Sequence, residues 1–433
     1  MKRSAILIAL ALLMLVPVLT FAAGAGEGSA PAAAAKTELR LGWWGNPTRD
    51  ERTLKVIDLY LSKNPNAGIE PETVGWGGYW DRINTQVAAG NLPDVMQHDY
   101  AYMLQFIARK QLADLTPYVN SKVINLAGVD ESFLSGGRVD GKLYGVSLGT
   151  NALCIVYDPK ILETAGIAAP AANYTWADFE KAAIQIFRKT GVQTLPFATT
   201  DPKVVFDNWI RQTGQSFYAK DGKSLGFTDS ALLQEFFAIQ LRLKSAGALV
   251  DPDVAFVNVT PQEDPFSKGK SWLQYVWSNQ VVSTQVAANK PVQLALYPLI
   301  AGSKRSGLYL KPSMFFAIPE MGKNKDEAAK FVNFFVSDPD ANKILLGERG
   351  VPIIASVRET VKAQVDPVMK QVFEYIDLVG KGNASPIDPP DPAASGEILK
   401  LFRDTTQAVL SGKTPARDGA VGFMKQANAI LAK

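Results

Sequence analysis

The chain has 433 residues, of which 47% are apolar and 20% are charged, and its formal net charge is +3. A chain of this length is too long to fold around a single hydrophobic core, and it fits two domains. Acidic and basic residues nearly cancel, so the charge balance excludes the strongly basic class that binds nucleic acid or anionic membranes. A single histidine and a single cysteine exclude multi-histidine and cysteine-rich metal sites by count.

The N-terminus has the pattern of a secretory signal peptide over residues 1–22. Two basic residues precede an apolar run that begins at Ala5, and small residues at its end, beginning with Ala22, offer a cleavage site. A transmembrane anchor, the alternative, needs roughly 20 apolar residues, whereas Pro17 interrupts this run. We therefore expect cleavage, followed by a disordered leader over residues 23–36, which are rich in Gly, Ala, Ser and Pro.

The only cysteine is Cys154, which excludes an intrachain disulfide. No cysteine lies at the end of the signal peptide, so the sequence offers no site for a lipid anchor there. A chain exported without an anchor would be retained only where a second membrane encloses a periplasm. We therefore expect a free periplasmic protein, and a monomer.

The first hundred residues alternate between strand and helix patterns. A helix over residues 49–62 places Leu54, Ile57 and Leu61 on one face. Strands are predicted over residues 39–41, 69–74 and 94–97, with further helices after the second and third. This alternation predicts a parallel sheet with crossover helices, which is an α/β fold.

The rest of the chain continues the mixed pattern. Thr175 and Asp178 form a capping-box signature at a helix start, and Asn324 with Glu327 form another. The helix after Asp229 ends near Ser245. Strands are predicted over residues 143–146, 152–157, 271–277, 293–298 and 314–318.

Signatures of catalysis are sparse. No Gly-rich loop has the spacing that cradles phosphates, and a Ser-His-Asp triad would depend on His98 alone. Paired carboxylates for sugar hydrolysis converge only in three dimensions, and no spacing here marks such a pair. We assign no catalytic residue, no metal ligand and no cofactor. A secreted glycoside-active enzyme stays as the alternative class.

Aromatic residues at strand ends carry more information. In parallel α/β sheets, ligands bind outside the carboxyl ends of the strands, and aromatic rings beside amides and carboxylates suit neutral, hydroxyl-rich ligands. For each single ring, packing in the core is the alternative. The aromatic residues near strand ends are Trp43, Trp44, Trp76, Tyr79, Trp80, Tyr100, Tyr102, Trp209, Tyr275, Trp277 and Tyr309.

Several blocks of the chain resemble family 1 extracellular solute-binding proteins of ABC importers, the group that includes maltose-binding protein. The more specific blocks are AAGNLPDV, which begins at Ala88, and the Tyr-Asp-Pro-Lys run at Tyr157. Further blocks are WWGNPTRDERT at Trp43, TWADFEKAA at Thr175 and YVWSNQ at Tyr275. The resemblance runs in consistent order from about residue 37 to the end.

The resemblance implies a two-lobe periplasmic binding protein fold with a ligand cleft between two α/β lobes. The chain is expected to cross between the lobes three times, near residues 147–151, 298–302 and 350–355. The first lobe would comprise residues 37–148 plus 300–352, and the second lobe residues 149–299 plus 353–433.

The resemblance also implies a sugar or oligosaccharide ligand, hinge closure, and delivery to permease subunits in the inner membrane, with no nucleic-acid partner. The residues expected at the ligand are Trp43, Trp44, Asn46, Trp76, Asp99, Tyr100, Asn151, Tyr275, Trp277, Asn279 and Arg349. Asp391 lies in a late loop that comes near the cleft in the family.

Two points stay open at this stage. Strand alternation turns Trp43 to the same side as Leu41, which favours Trp44 as the ligand-facing member of the pair. The same fold could instead hold a polyol, a glycerophosphodiester or a peptide. A phosphate-bearing ligand would call for a basic cleft, and Arg49 and Arg349 are the obvious candidates for it.

Overall fold

The computed structural model describes residues 36–199, 202–257, 259–382 and 384–433. The predicted signal peptide, and the predicted leader up to residue 35, lie outside the described residues. Within the described ranges, no helix combines the length and the apolar character that crossing a membrane requires.

Short strands alternate with helices through most of the described chain. The strands are β1 (Thr37–Trp44), β2 (Ala67–Val74), β3 (Val95–His98), β4 (Arg138–Val139), β5 (Lys142–Leu143), β6 (Val146–Ser147), β7 (Thr150–Asn151), β8 (Leu153–Tyr157), β9 (Leu273–Trp277), β10 (Gln293–Ala295), β11 (Lys311–Pro312) and β12 (Phe315–Ala317).

Helices supply most of the remaining described residues. They are α1 (Pro47–Lys63), α2 (Trp76–Ala88), α3 (Tyr100–Ala108), α4 (Thr116–Asn120), α5 (Glu131–Leu134), α6 (Pro159–Ala165), α7 (Trp176–Thr190), α8 (Val204–Arg211), α9 (Ser230–Ser245), α10 (Pro252–Ala255), α11 (Val281–Ala288), α12 (Lys325–Ser337), α13 (Pro339–Leu345), α14 (Ala355–Lys362), α15 (Pro367–Lys381), α16 (Ser395–Leu410) and α17 (Ala416–Leu431). Short 3₁₀ turns lie at Ser135–Gly137 and Ser278–Gln280.

The larger sheet has the strand order β2-β1-β3-β12-β6. Its first three strands are parallel and joined by helices, which confirms the predicted α/β unit. Strand β12 pairs antiparallel with β3 and with β6, so the complete sheet is mixed. Side chains of β1 alternate between the two faces, yet the helices cover both faces and the last four residues of β1 are all buried.

A second, three-stranded sheet has the order β10-β8-β9 and is antiparallel throughout. All five residues of β8 are buried. Helices α9, α16 and α17 pack against one another beside it, and α15 contacts β10. The two sheets share no strand and lie in the two halves of a two-lobe fold.

One of the two predicted capping boxes is present in the structure. Thr175 and Asp178 form the predicted capping box of α7, since each side chain accepts from the other's backbone N–H. The predicted capping box of α12 is wrong, because Asn324 makes no cap bond and its side-chain amide donates to the carbonyl of Glu38 at 3.1 Å. Leu54 was expected on the buried face of α1, but it is 42% exposed.

Three chain segments lie side by side between the two sheets. Strand β7 pairs antiparallel with β11, and Thr150 also pairs with Val351 through bonds of 2.8 and 3.1 Å between their backbone groups. A Cβ at Gly149 would lie 2.2 Å from the carbonyl oxygen of Arg349, so only glycine permits this approach. We call these segments (residues 149–151, 311–312 and 350–351) the hinge.

The second crossing that the resemblance implied, near residues 298–302, does not coincide with the hinge. The backbone N–H of Ile300 donates to the Gln212 side chain at 2.6 Å, and the carbonyl of Gly307 accepts from Arg211 at 3.1 Å. Residues 300–309 therefore pack beside α8. The physical reason is that side-chain amides and guanidinium groups hold this loop, which a hydrophobic pattern does not reveal.

Candidate functional site

A cavity of about 520 Å³ lies beside the hinge. Its walls are formed by the start of α3, the end of β9 with its 3₁₀ turn, the hinge strands, helix α8 and the loop of residues 387–391. It brings together six of the residues expected at the ligand. They are Asp99, Tyr100, Asn151, Trp277, Asn279 and Arg349.

Asp99 and Tyr100 reach the cavity because β3 ends just before them. The Asp99 carboxylate caps α3 by accepting from the N–H of Ala101 at 2.8 Å. The Tyr100 hydroxyl donates to the carbonyl of Asp388 at 2.6 Å. Burial and the nearby carboxylate of Asp388 raise the pKa of Tyr100, so this phenol stays a hydrogen-bond donor at neutral pH.

Trp277 ends β9 and presents its indole beside the hinge. The ammonium of Lys311 lies 4.8 Å from the centre of the indole ring, and Tyr309 meets the indole edge-on with ring centres 5.9 Å apart. Asn279 follows in the 3₁₀ turn. Asn151 lies on β7 directly opposite Lys311 of β11. An aromatic ring, two amides and a cation thus share this wall.

Arg349 and Arg49 share one carboxylate, that of Glu348. Arg49 Nε lies 2.9 Å from Glu348 Oε1, and Arg349 Nη1 lies 3.4 Å from Glu348 Oε2. Arg349 also donates to Gln97 and to Thr53. Burial lowers the pKa of Arg349 to about 9, and the charge of Arg49 adds to this effect. The guanidinium of Arg349 is therefore charged at neutral pH, and Arg49 and Arg349 have one acid between them.

The wall formed by α8 was not predicted. Lys203 precedes α8 and pairs with Asp391, whereas Arg211 ends α8 and pairs with Asp388. Asp207 lies between them on the same face and is 5% exposed. Burial raises the pKa of Asp207 to about 6, against the opposing effect of Arg211 and Lys203. The two ion pairs fasten the loop of residues 387–391 to α8.

A signal for this wall was present in the sequence. Charged residues recur at four-residue spacing at positions 203, 207 and 211 in an otherwise mostly apolar helix pattern. Because all eight residues of α8 are buried, these charges need partners on another element. The partners follow in the PIDPPDP segment, about 180 residues later, so only the fold joins them.

Five of the residues expected at the ligand do not line the cavity. Trp43 is fully buried and donates from Nε1 to Asp50 at 2.7 Å. Trp44 is 7% exposed and meets Trp76 edge-on, and Asn46 caps α1. The other two are Trp76, which is 49% exposed, and Tyr275, which is buried against Phe197. In each case except Trp76, sheet packing or helix capping accounts for the position.

His98 and Cys154 are both core residues. The His98 ring contacts Phe106 with ring centres 4.7 Å apart, and burial lowers its pKa to about 4. Burial likewise raises the pKa of the Cys154 thiol, which keeps it protonated. Among the described residues, no group of three or more His, Cys, Asp or Glu side chains is arranged to hold a metal ion. The side chains that line the cavity offer stacking through Trp277 and hydrogen bonding through Asn151 and Asn279.

Comparison with protein families decides the class of this fold. The family model described as bacterial extracellular solute-binding protein matches residues 55–371, which is more than half of the chain. The chain belongs to this family. An extracellular solute-binding protein family 1 from Alicyclobacillus acidocaldarius is 32% identical, and the match covers 93% of this chain and 100% of that one with a TM-score of 0.84.

Two more distant solved structures share the fold of this solute-binding protein. A periplasmic oligogalacturonide binding protein from Yersinia enterocolitica is 24% identical, with a TM-score of 0.76 over 91% of this chain and 99% of that one. A cyclic alpha-maltosyl-1,6-maltose binding protein from Arthrobacter globiformis is 18% identical, with a TM-score of 0.69 over 92% and 100% of the two chains.

Membership of the family fixes the coarse function. The chain is an extracellular solute-binding protein of an ABC transporter, and family and fold are those of binding proteins. Such a protein takes a small-molecule ligand and works with permease subunits, and it is located in the periplasm or outside the cell.

Proposed function

We propose that this solute-binding protein captures a sugar or short oligosaccharide in the cavity beside the hinge. The observation that carries the proposal is the joint placement of Trp277, Tyr100 and Asn151 on one cavity. The indole face can stack on the apolar face of a pyranose ring. The amide and the phenol can pair with ring hydroxyls, because both groups donate and accept hydrogen bonds.

The dimensions and polarity of the cavity suit such a ligand. Its volume of about 520 Å³ lies within the roughly 300–1,000 Å³ of small-molecule sites. Carboxylates of Asp99 and Asp207 line it as well. Carboxylates and amides are strong partners for hydroxyl groups. The two relatives that bind oligogalacturonide and cyclic alpha-maltosyl-1,6-maltose give independent support for a carbohydrate ligand.

Ligand capture proceeds by closure about the hinge. The first lobe comprises residues 37–148 and about 313–349, and the second comprises residues 152–310 and 352–433. A sugar that touches both lobes makes more contacts in the closed state than in the open state, and this difference shifts the population toward closure. The closed form then docks on the permease subunits and releases its ligand to them.

The protein works as a free monomer in the periplasm, after removal of the signal peptide over residues 1–22. The predicted signal pattern and the absence of a cysteine directly after it support this location.

A thermal-shift screen tests the proposed ligand class. Ligands that bind only the native state raise its melting temperature, so sugars and oligosaccharides are compared with polyols, glycerophosphodiesters and peptides. We expect shifts with sugars alone, and calorimetry then gives the affinity. Mass spectrometry of the recovered sugar checks for turnover. A shift confined to peptides or polyols contradicts the proposal, and a hydrolysed product would favour the glycoside-active alternative.

A further inference from the structure

The cation of Lys311 differs from the other cations of the cavity. Arg49 pairs with Glu348, and Lys203 pairs with Asp391. By contrast, no acid lies within ion-pair distance of Lys311 among the residues that the structure describes. Its ammonium is instead held 4.8 Å from the centre of the Trp277 indole. A cation–π contact orients an ammonium without neutralising it.

A second observation adds positive charge to the same region. Arg49 and Arg349 share the single carboxylate of Glu348, so this trio carries one excess positive charge. The hydrogen bonds of Arg49 use Nε and Nη1, which leaves Nη2 with no acceptor in the described part of the chain. Both Arg49 and Lys311 line the cavity. Arg49, Arg349 and Lys311 thus outnumber Glu348 by two, and Asp99, which also lines the cavity at the start of α3, reduces this excess to one.

The wall formed by α8 has no such excess of positive charge. There Lys203 and Arg211 are matched by Asp391 and Asp388, and Asp207 adds a third carboxylate. The cavity is thus polarised, with one positive charge in excess next to the hinge and one carboxylate in excess on the α8 side. A neutral sugar has no use for the uncompensated cations, whereas a sugar that carries an anionic group does.

We propose that Lys311 and Arg49 form a subsite for the carboxylate of an acidic sugar, so that the ligand contains at least one uronic acid unit. This inference rests on the proposed function, because it places the uronate ring against Trp277. The ammonium of Lys311 lies 4.8 Å from the centre of that indole, so a sugar ring that stacks there replaces the ammonium on the indole and offers it a carboxylate instead. An N–H···carboxylate bond of this kind is about twice as strong as a bond between neutral groups.

Matched pairs of sugars test the subsite. Calorimetry compares digalacturonate and diglucuronate with their carboxyl-reduced, neutral counterparts, and a hexose 6-phosphate serves as a different oxyanion. We expect a uronate to bind roughly ten- to hundred-fold more tightly than its neutral counterpart, and the difference to shrink at high salt. Equal or tighter binding of the neutral sugars overturns the subsite and leaves the proposed function standing. Preferential binding of the hexose phosphate also overturns the carboxylate assignment.

Substitution of Lys311 locates the effect. Lys311→Gln should weaken uronate binding roughly ten-fold more than it weakens binding of the matched neutral sugar. Lys160→Gln is the matched control, because Lys160 is exposed and lies outside the cavity. This substitution removes the same charge as Lys311→Gln does. An unchanged melting temperature without ligand shows that both variants fold. Equal uronate affinity in both variants overturns the role of Lys311, and no binding of any sugar by the wild type overturns the proposed function as well.

Discussion

The hydroxyl of Tyr100 donates a 2.6 Å hydrogen bond to the main-chain carbonyl of Asp388. Tyr100 begins α3, which follows the central strand of the larger sheet, whereas Asp388 lies in the loop that Arg211 and Lys203 fasten to α8. One hydrogen bond therefore connects opposite walls of the cavity.

Tyr100→Phe removes this bond and keeps the ring. A neutral hydrogen bond contributes about 1 kcal/mol, so we expect the unliganded protein to shift toward a more open form and the ligand affinity to fall about five-fold. Small-angle scattering and calorimetry measure the two effects. Tyr102→Phe on the same helix is the control, since its ring packs on Trp80. Scattering and affinity identical to the wild type would contradict a closing role for Tyr100.

Substitution of Trp277 and substitution of Trp76 should have different effects on ligand affinity. Trp277 lines the cavity, whereas Trp76 is 49% exposed and does not line it. Trp277→Ala should weaken sugar binding by about 1–3 kcal/mol, while Trp76→Ala should leave it unchanged within about two-fold. Calorimetry with the sugar identified by the thermal-shift screen measures both. A larger loss of affinity in Trp76→Ala than in Trp277→Ala would mean that the sugar stacks on Trp76, in the other lobe.

Much of the fold follows from sequence periodicity, because strand and helix periods differ and the crossovers bury apolar stripes. Prediction from periodicity fails where other elements decide which side chains of a strand are buried. Alternation along β1 favoured exposure of Trp44, but the sheet is covered on both faces, so both Trp43 and Trp44 are buried. The place of residues 300–309 beside α8 depends on side-chain bonds of Gln212 and Arg211, which no local pattern encodes.

The sequence likewise predicts some residues of the cavity and misses others. Asp99, Tyr100 and Trp277 were predictable because they stand where strands end, and strand ends meet at one edge of a sheet. Lys203 and Asp207 were not, because their place at the cavity depends on a loop about 180 residues further along the chain. Local spacing marks the charges on α8, but it does not show which distant residues pair with them.

Substitution of Trp43 tests whether this residue belongs to the hydrophobic core or to the ligand site. Its indole is fully buried, and Nε1 donates at 2.7 Å to Asp50, which also accepts from Thr73. Trp43→Phe leaves a cavity and removes one bond, so the free energy of unfolding should fall by about 1–3 kcal/mol. Urea denaturation measures this change, with Trp76→Phe as the exposed control. Ligand affinity should be unchanged, and a selective loss of affinity at full stability would contradict the core assignment.

Asp207 should give the stability of the protein a specific dependence on pH. Burial raises its pKa in the folded state from 3.8 to about 6. Between these values the folded state binds more protons at this group than the unfolded state does. The free energy of unfolding that this group supplies is therefore fully present below pH 3.8 and is lost as the pH rises through about 6.

Asp207→Asn replaces the carboxylate with a group that stays neutral. The variant should therefore be more stable than the wild type at pH 7, by roughly 1–3 kcal/mol, and the two should converge in stability toward acid pH. Urea denaturation without ligand across this pH range measures the difference in stability between the variant and the wild type. The other carboxylates titrate in both proteins, so their effect cancels in this difference. Asp253→Asn, on the exposed surface outside the cavity, is the control. A constant difference from acid to neutral pH would mean that Asp207 is charged throughout, held so by Lys203 and Arg211.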